Sequence, residues 1–191
     1  MKYLVFDIET TNTFRHISDK NVRDLNIAIV GAYDSTDNSY TSYTVEELPQ
    51  FWPRVEQTEA LVGFNSDTFD IPLLDKYYPG DLLAFKSIDL LKSVQESLGR
   101  RLRLNNLAEA TLNEGKSADG LKAIEWWQQG EVDKVREYCL QDVKVTKDLF
   151  EFAQENGYVA YKDLTEKKKI KLNTESWKHQ PDTALTQTLG F

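Results

Sequence analysis

Basic residues are in deficit. The chain has 23 lysines and arginines against 31 acids, a formal net charge of −8. A protein that coats duplex nucleic acid non-specifically carries broad positive surface, so that class is excluded. A nuclease is not, because part of the negative charge can belong to a metal site whose ions invert the local field. Cysteine is nearly absent: Cys139 is the only one, which excludes an internal disulfide and fits a reducing cytoplasm. No apolar run is long enough to span a bilayer, so no membrane partner is expected. The sequence enters a strand without a charged-then-apolar leader, which again sets the expectation of a cytoplasmic protein. Internal repeats and low-complexity linkers are missing too.

What is present suffices for a core. Hydrophobic residues make up 40% and aromatics 12% of 191 residues, which argues against disorder and fits one globular domain with a small appendage. The expected division is a main domain over 1–156, a β-hairpin over 157–175 and a polar tail over 176–191.

Acidic residues stand in recognisable local frames. Lys2 to Thr10 reads as a core strand, with Leu4, Phe6 and Ile8 on one face and Tyr3, Val5, Asp7 and Glu9 on the other. Residues two apart in a strand share a face, so Asp7 and Glu9 are neighbours roughly 6–7 Å apart at their backbones. Ionised carboxylates in an otherwise apolar strand are costly unless paired or metal-bound.

A second pair rests on helical spacing. Glu131 to Asn156 reads as a long helix ended by Gly157, with Val135, Cys139, Val143 and Phe150 on its buried stripe and Leu149 beside it. Tyr138 and Asp142 are four apart and therefore share a face, about 6 Å apart along the axis. Cys139 itself reads as a small buried hydrophobe without a catalytic role. Between the pairs lies a strand-to-helix turn. Ala60 to Phe64 is a short strand, Asn65 to Thr68 a polar turn, and Phe69 to Tyr78 a helix with Asp70 in its first turn. The helix dipole favours a negative charge there, so capping explains Asp70 as well as chemistry does.

The remaining pattern implies a mixed sheet flanked by helices. Leu25 to Tyr33, Ser39 to Thr44 and Phe85 to Asp89 read as further strands, and Asp89 as the cap of a helix over Leu90 to Leu98. Thr44 and Glu47 have capping-box spacing, but Pro49 and Pro53 are expected to break or delay that helix. Asn106 and Glu109 mark the start of another, and Ala118 to Gln129 a further one stopped by Gly130. Tyr158 to Lys162 and Lys168 to Leu172 form the hairpin, whose basic second strand reads first as a protected edge and second as an edge that contacts phosphates. Arg100, Arg101 and Arg103 read as solvated surface, and Trp126 and Trp127 as packing.

The three acidic motifs, FDIET, then N-x-x-x-F-D, then Y-x-x-x-D, resemble in that order the DEDD exonuclease superfamily. Tyr138 in the last motif matches its tyrosine branch, DEDDy. GFNSDTFDIPLL and YCLQD are most similar to the proofreading domains of family B DNA polymerases and their free-standing bacterial relatives, and KSADGLKAIEWW resembles the free-standing group. Neither His16 nor His179 is placed to replace Tyr138.

The resemblance implies an α/β fold, ribonuclease H-like, a mixed β-sheet flanked by α-helices with the C-terminal β-hairpin. It also implies a 3′–5′ exonuclease that removes nucleotides from the 3′ ends of single-stranded DNA with two divalent cations. Mg2+ suits all-oxygen ligation, with Mn2+ a substitute. By the same resemblance Asp7 bridges both ions, Glu9 and Asp142 help hold the first, Asp70 acts mostly through water, and Tyr138 orients the attacking water. Thr10 and Asn65 adjoin these residues and are candidates to hold the terminal nucleotide, with Phe69 a candidate wedge and Lys116 a candidate backbone contact. The alternatives are a 3′–5′ exoribonuclease, a catalytically weak nucleic-acid-binding subunit and a nicking endonuclease.

Overall fold

The computed structural model describes residues 1–16, 20–114 and 120–178. Five strands, β1 (Tyr3–Thr10), β2 (Ile27–Asp34), β3 (Ser39–Tyr43), β4 (Ala60–Gly63) and β5 (Ser87–Asp89), form one sheet in the order β3-β2-β1-β4-β5. The first three are consecutive in the chain and pair antiparallel. β4 and β5 are each reached through a connection that carries a helix, α1 (Leu48–Glu56) and α2 (Asp70–Asp75), and pair parallel, β4 to β1 and β5 to β4. This mixed sheet, flanked by helices, is a ribonuclease H-like arrangement, and a separate two-stranded hairpin follows it.

Strand alternation sorts the core into two layers. Leu4, Phe6 and Ile8 pack on one face of the sheet against α1 (Leu48–Glu56) and α2 (Asp70–Asp75). Val5 and Val62 face the other way, toward α6 (Val132–Asn156), α4 (Leu104–Leu112) and the hairpin β6 (Tyr158–Asp163) and β7 (Glu166–Lys171). Phe6, Phe51 and Phe150 are fully buried; each large apolar side chain removed from water contributes roughly 1.5–3 kcal/mol. α3 (Leu90–Leu98) and α5 (Gly120–Gln128) complete the helices among the described residues.

Several local expectations hold. α6 runs Val132–Asn156 and stops at Gly157, whose φ of 74° is the left-handed value a glycine adopts without strain. Asp89 caps α3 by accepting from the backbone N–H groups of Leu91 and Lys92. The Thr44–Glu47 capping box forms.

The prolines, however, do not break the first helix. α1 contains Pro49 in its first turn and Pro53 in its interior, because Leu48, Phe51, Trp52 and Val55 on one stripe are all buried and that burial outweighs the lost hydrogen bond. α4 begins at Leu104 rather than at Asn106, with Arg103 as its N-terminal cap residue and no side-chain cap bond. α2 is shorter than expected and ends at Asp75. No described helix is long and apolar enough to cross a membrane.

Candidate active site

The later residues of β1 lie beneath the early turns of α6, and the closeness of the two elements has a specific cause. Asp7 pairs across the ladder with Gly31 of β2. A Cβ at Gly31 would stand 2.8 Å from the Cys139 sulfur and 3.2 Å from a Val143 methyl. Glycine there lets α6 come down onto the sheet beside Asp7. Arg136 fixes the helix further, with its guanidinium donating to the Ser42 carbonyl and to Glu47, each at 2.8 Å.

This approach brings together residues remote in sequence. One carboxylate oxygen each from Asp7, Glu9 and Asp142 lies within 4.8 Å of the others. Burial, then Asp70, Glu9 and Asp142, push the Asp7 carboxyl well above the usual carboxylate range, opposed by its contact with the Cys139 thiol. Glu9, only 9% exposed, is pushed to about 8 by burial and by Asp142 and Asp70. Like charges that crowd in this way favour an added cation. The donors are all hard oxygens, the ligand type of magnesium and manganese rather than of softer metals. The three acids therefore fit divalent-cation binding.

Asp70 stands outside that three-acid cluster. It occupies the first position of α2, is buried, and accepts from the backbone N–H of Ile8. Burial raises its pKa to about 7, an effect its backbone hydrogen bonds oppose and Asp89 reinforces. Its charge still reaches the cluster, since it raises both Asp7 and Glu9.

Tyr138 hydrogen-bonds Asp142 through its hydroxyl, and its ring meets Trp126 edge-on with centroids 6.2 Å apart. Burial, followed by the charges of Asp142 and Glu9, drives the phenol's pKa upward. It therefore stays protonated and can serve as a donor, not as a base. Cys139 is buried, as expected, but it is more than filler. Its sulfur lies 3.4 Å from the Asp7 carbonyl oxygen and 3.7 Å from Asp7 Oδ2. Burial and the nearby Asp7 raise the thiol's pKa, so it acts as a weak S–H donor that helps fix Asp7.

The Asn65 turn lies beside this centre, because the parallel β1–β4 ladder runs through Val5 and Val62 toward Asp7 and Phe64. Asn65 has φ of 70°, which a short polar side chain tolerates better than a branched one. Asp89 holds the turn by accepting from the Asn65 and Asp67 N–H groups at 2.8 and 3.2 Å. The Asn65 side-chain oxygen accepts from the Thr68 hydroxyl at 2.9 Å and from the Arg101 guanidinium.

The other candidates fare unevenly. Thr10 is buried next to Glu9, and its hydroxyl donates to the Asn12 carbonyl at 2.8 Å. Phe69 is half-buried against the core and packs edge-on against Phe14 at 6.1 Å. Lys116 lies outside the described residues. Trp126 and Trp127 pack around Ile29, Ala123, Val135 and Cys139, as expected. Sequence reasoning missed the contacts of Cys139 with Asp7 and of Arg101 with Asn65. The helical position of Cys139, between Tyr138 and Asp142, was the available signal for the first.

Fold and site together define a class: a ribonuclease H-like α/β domain with an acidic cluster able to bind metal. A family model described as the RNase H superfamily matches residues 4–154, and the chain belongs to that superfamily. A family B DNA polymerase from the hyperthermophilic archaeon Pyrobaculum calidifontis has a similar structure, with a TM-score of 0.62 and 20% sequence identity. The match covers 80% of this chain but only 24% of the polymerase chain. Among curated proteins no sequence matches this one.

Proposed function

We propose that the chain is a metal-dependent 3′–5′ exonuclease of the DEDDy type that removes nucleotides from the 3′ ends of single-stranded DNA. The observation that carries this reading is the meeting of Asp7, Glu9 and Asp142 within 4.8 Å, with the Tyr138 hydroxyl bonded to Asp142. Asp7, Glu9 and Asp142 would hold two divalent cations, Mg2+ or Mn2+, with Asp70 acting through water between it and the ions. Such ions supply Lewis-acid stabilisation of charge on a phosphoryl group and acidify water. Tyr138, kept as a phenol, orients the attacking water by donating or accepting a hydrogen bond. Cys139 and the Ile8 N–H hold Asp7 and Asp70 in place, so neither carboxylate has to be ordered when substrate arrives.

Asn65 and Thr10, beside the acids, hold the terminal nucleotide, with Phe69 against its base. The single buried thiol fits a cytoplasmic protein. The test compares DNA and RNA oligomers of one sequence, labelled at the 5′ end, with magnesium present. Products that shorten one nucleotide at a time from DNA support the reading. Preferential shortening of RNA would replace it with an exoribonuclease, and cleavage of closed circular DNA would replace it with a nicking enzyme.

A further inference from the structure

The C-terminal hairpin has one covered edge and one open edge. On β6 the Ala160 N–H donates to the Thr111 hydroxyl at 2.9 Å, and that hydroxyl donates to the Ala160 carbonyl at 3.2 Å. Both backbone groups of Ala160 therefore point away from β7, toward α4. In an antiparallel ladder the residue directly opposite has the mirrored orientation, and the pattern repeats at every second pair. Lys169 lies opposite Ala160, Lys171 opposite Tyr158 and Lys167 opposite Lys162. The N–H and C=O groups of Lys167, Lys169 and Lys171 thus face outward from β7, where no described strand pairs with them. Their side chains share one face, and all three are exposed. We infer that this open edge docks an acidic, extended segment of a partner protein, which adds as a third strand with carboxylates at alternate positions against the three lysines.

Charge is the first argument for this occupant. The chain has a net charge of −8, yet β7 reads EKKKIK. Lys168 pairs with Asp163 at 2.6 Å and Lys162 with Glu109 at 2.5 Å. Lys167, Lys169 and Lys171 form no ion pair among the described residues, and Lys169 rests over the Tyr158 ring at 3.9 Å from its centroid. Alternate carboxylates on an added strand would match them one for one.

The backbone is the second. An open strand edge presents donors and acceptors in turn. A phosphodiester chain brings acceptors, which leaves the three outward carbonyls unmatched, whereas a peptide strand supplies both kinds. A second copy of β7 is disfavoured, because pairing edge to edge would set lysines against lysines. The charges that guard the edge against its own kind are those that admit an acidic strand.

The hairpin tip is the third. Leu164 is 97% exposed and has φ of 56°, in a turn position that asparagine or glycine ordinarily fills. A leucine there contributes nothing to the core of this chain. Beside the first residues of β7, it offers an apolar contact to whatever lies along the edge. The edge is separate from the acidic centre, so its test does not depend on the proposed cleavage.

Fluorescence anisotropy on the full chain tests the inference, with a short labelled peptide that alternates glutamate with valine or threonine and ends in leucine. The wild-type protein is expected to bind it, more weakly as salt rises. Lys169→Glu and Lys167→Glu each raise Kd about tenfold, because like charges then face each other. Lys134→Glu, the same charge change in the first turn of α6, leaves Kd as it was. Leu164→Asn suits the positive φ, so the fold stays intact while Kd rises about threefold from the lost apolar contact.

Two further measurements read the mode of binding. The same peptide with its backbone amides N-methylated has the charges without the ladder donors and should not bind. By NMR hydrogen exchange, the amides of Lys167, Lys169 and Lys171 should gain protection when the unmodified peptide is present. Equal binding of the methylated peptide, or unchanged exchange at those three amides, would overturn strand addition. So would a peptide that fails to bind the wild-type protein or binds Lys169→Glu equally well. Binding of the thymidine octamer dT8 in place of the peptide, lost in Lys169→Glu, would also overturn it and make the edge a phosphate contact.

Discussion

Asp7 and Gly31 face each other across the β1–β2 ladder, and the missing side chain of the second leaves room for the helix that completes the site of the first. A Cβ at residue 31 would come within 2.8 Å of the Cys139 sulfur. The Gly31→Ala protein is therefore expected to shift α6 away from Asp7 and to lose ~1–3 kcal/mol of stability, the usual cost of overpacking a tight core. Chemical denaturation measures the loss. Cleavage should fall by more than stability alone explains, because Tyr138 and Asp142 ride on the displaced helix. A variant as stable and as active as wild type would show that the close approach does not matter.

Crowded carboxylates predict a response to cations. Magnesium is expected to raise the melting temperature of the wild-type protein, since ions bind the folded cluster and not the unfolded chain. Asp7→Asn removes one repelling charge, so its metal-free form should melt no lower than wild type, and the magnesium gain should vanish. Differential scanning fluorimetry with and without chelator checks both halves. An unchanged magnesium response in Asp7→Asn would remove Asp7 from the metal site.

The same repulsion has a pH signature. Glu9 at about 8 and Asp70 at about 7 are held above their ordinary values in the folded protein, so the folded state binds more protons than the unfolded one across that interval. Their contribution is fully present below an unfolded pKa of about 4 and is lost as pH rises through about 7 to 8. In chelator, stability should accordingly decline from about pH 4 to about pH 8 and level off above that. With magnesium the decline should flatten, because bound cations favour the ionised carboxylates. A melting temperature that is level over this range in chelator would contradict the crowding.

Tyr138→Phe keeps the ring against Trp126 and removes only the hydroxyl. Cleavage should slow on the order of 100-fold, the cost of losing a positioned group at the reacting centre, while the magnesium-induced rise in melting temperature stays near the wild-type value. Single-turnover kinetics and fluorimetry separate the two effects. Equal rates would place the orientation of water elsewhere.

Much of this was legible in the sequence where the information is local. The alternation of Leu4, Phe6 and Ile8 with Val5, Asp7 and Glu9 sets both faces of β1, and the bounds of α6 come from its apolar stripe and Gly157. Asp89 is readable as a cap because its partners, Leu91 and Lys92, are two and three residues on. The misses have a common physical origin. Pro53 looks like a breaker until the burial of Phe51 and Trp52 is counted, and that burial depends on the distant sheet. Leu104 starts α4 without a side-chain cap, so no capping residue marks the position. Arg101 meets Asn65 across 36 positions and Cys139 meets Asp7 across 132, pairings that only the folded chain creates.

The central claim is that the three converging acids, with ions between them, cut a phosphodiester at a strand's 3′ end. An oligonucleotide ladder assay with 5′-labelled single-stranded DNA tests it most directly, run with magnesium, with chelator, and with the Asp142→Ala protein. The account predicts stepwise shortening from the 3′ end with magnesium and an intact band in the other two lanes. Shortening that persists in Asp142→Ala, or that proceeds in chelator, would contradict it.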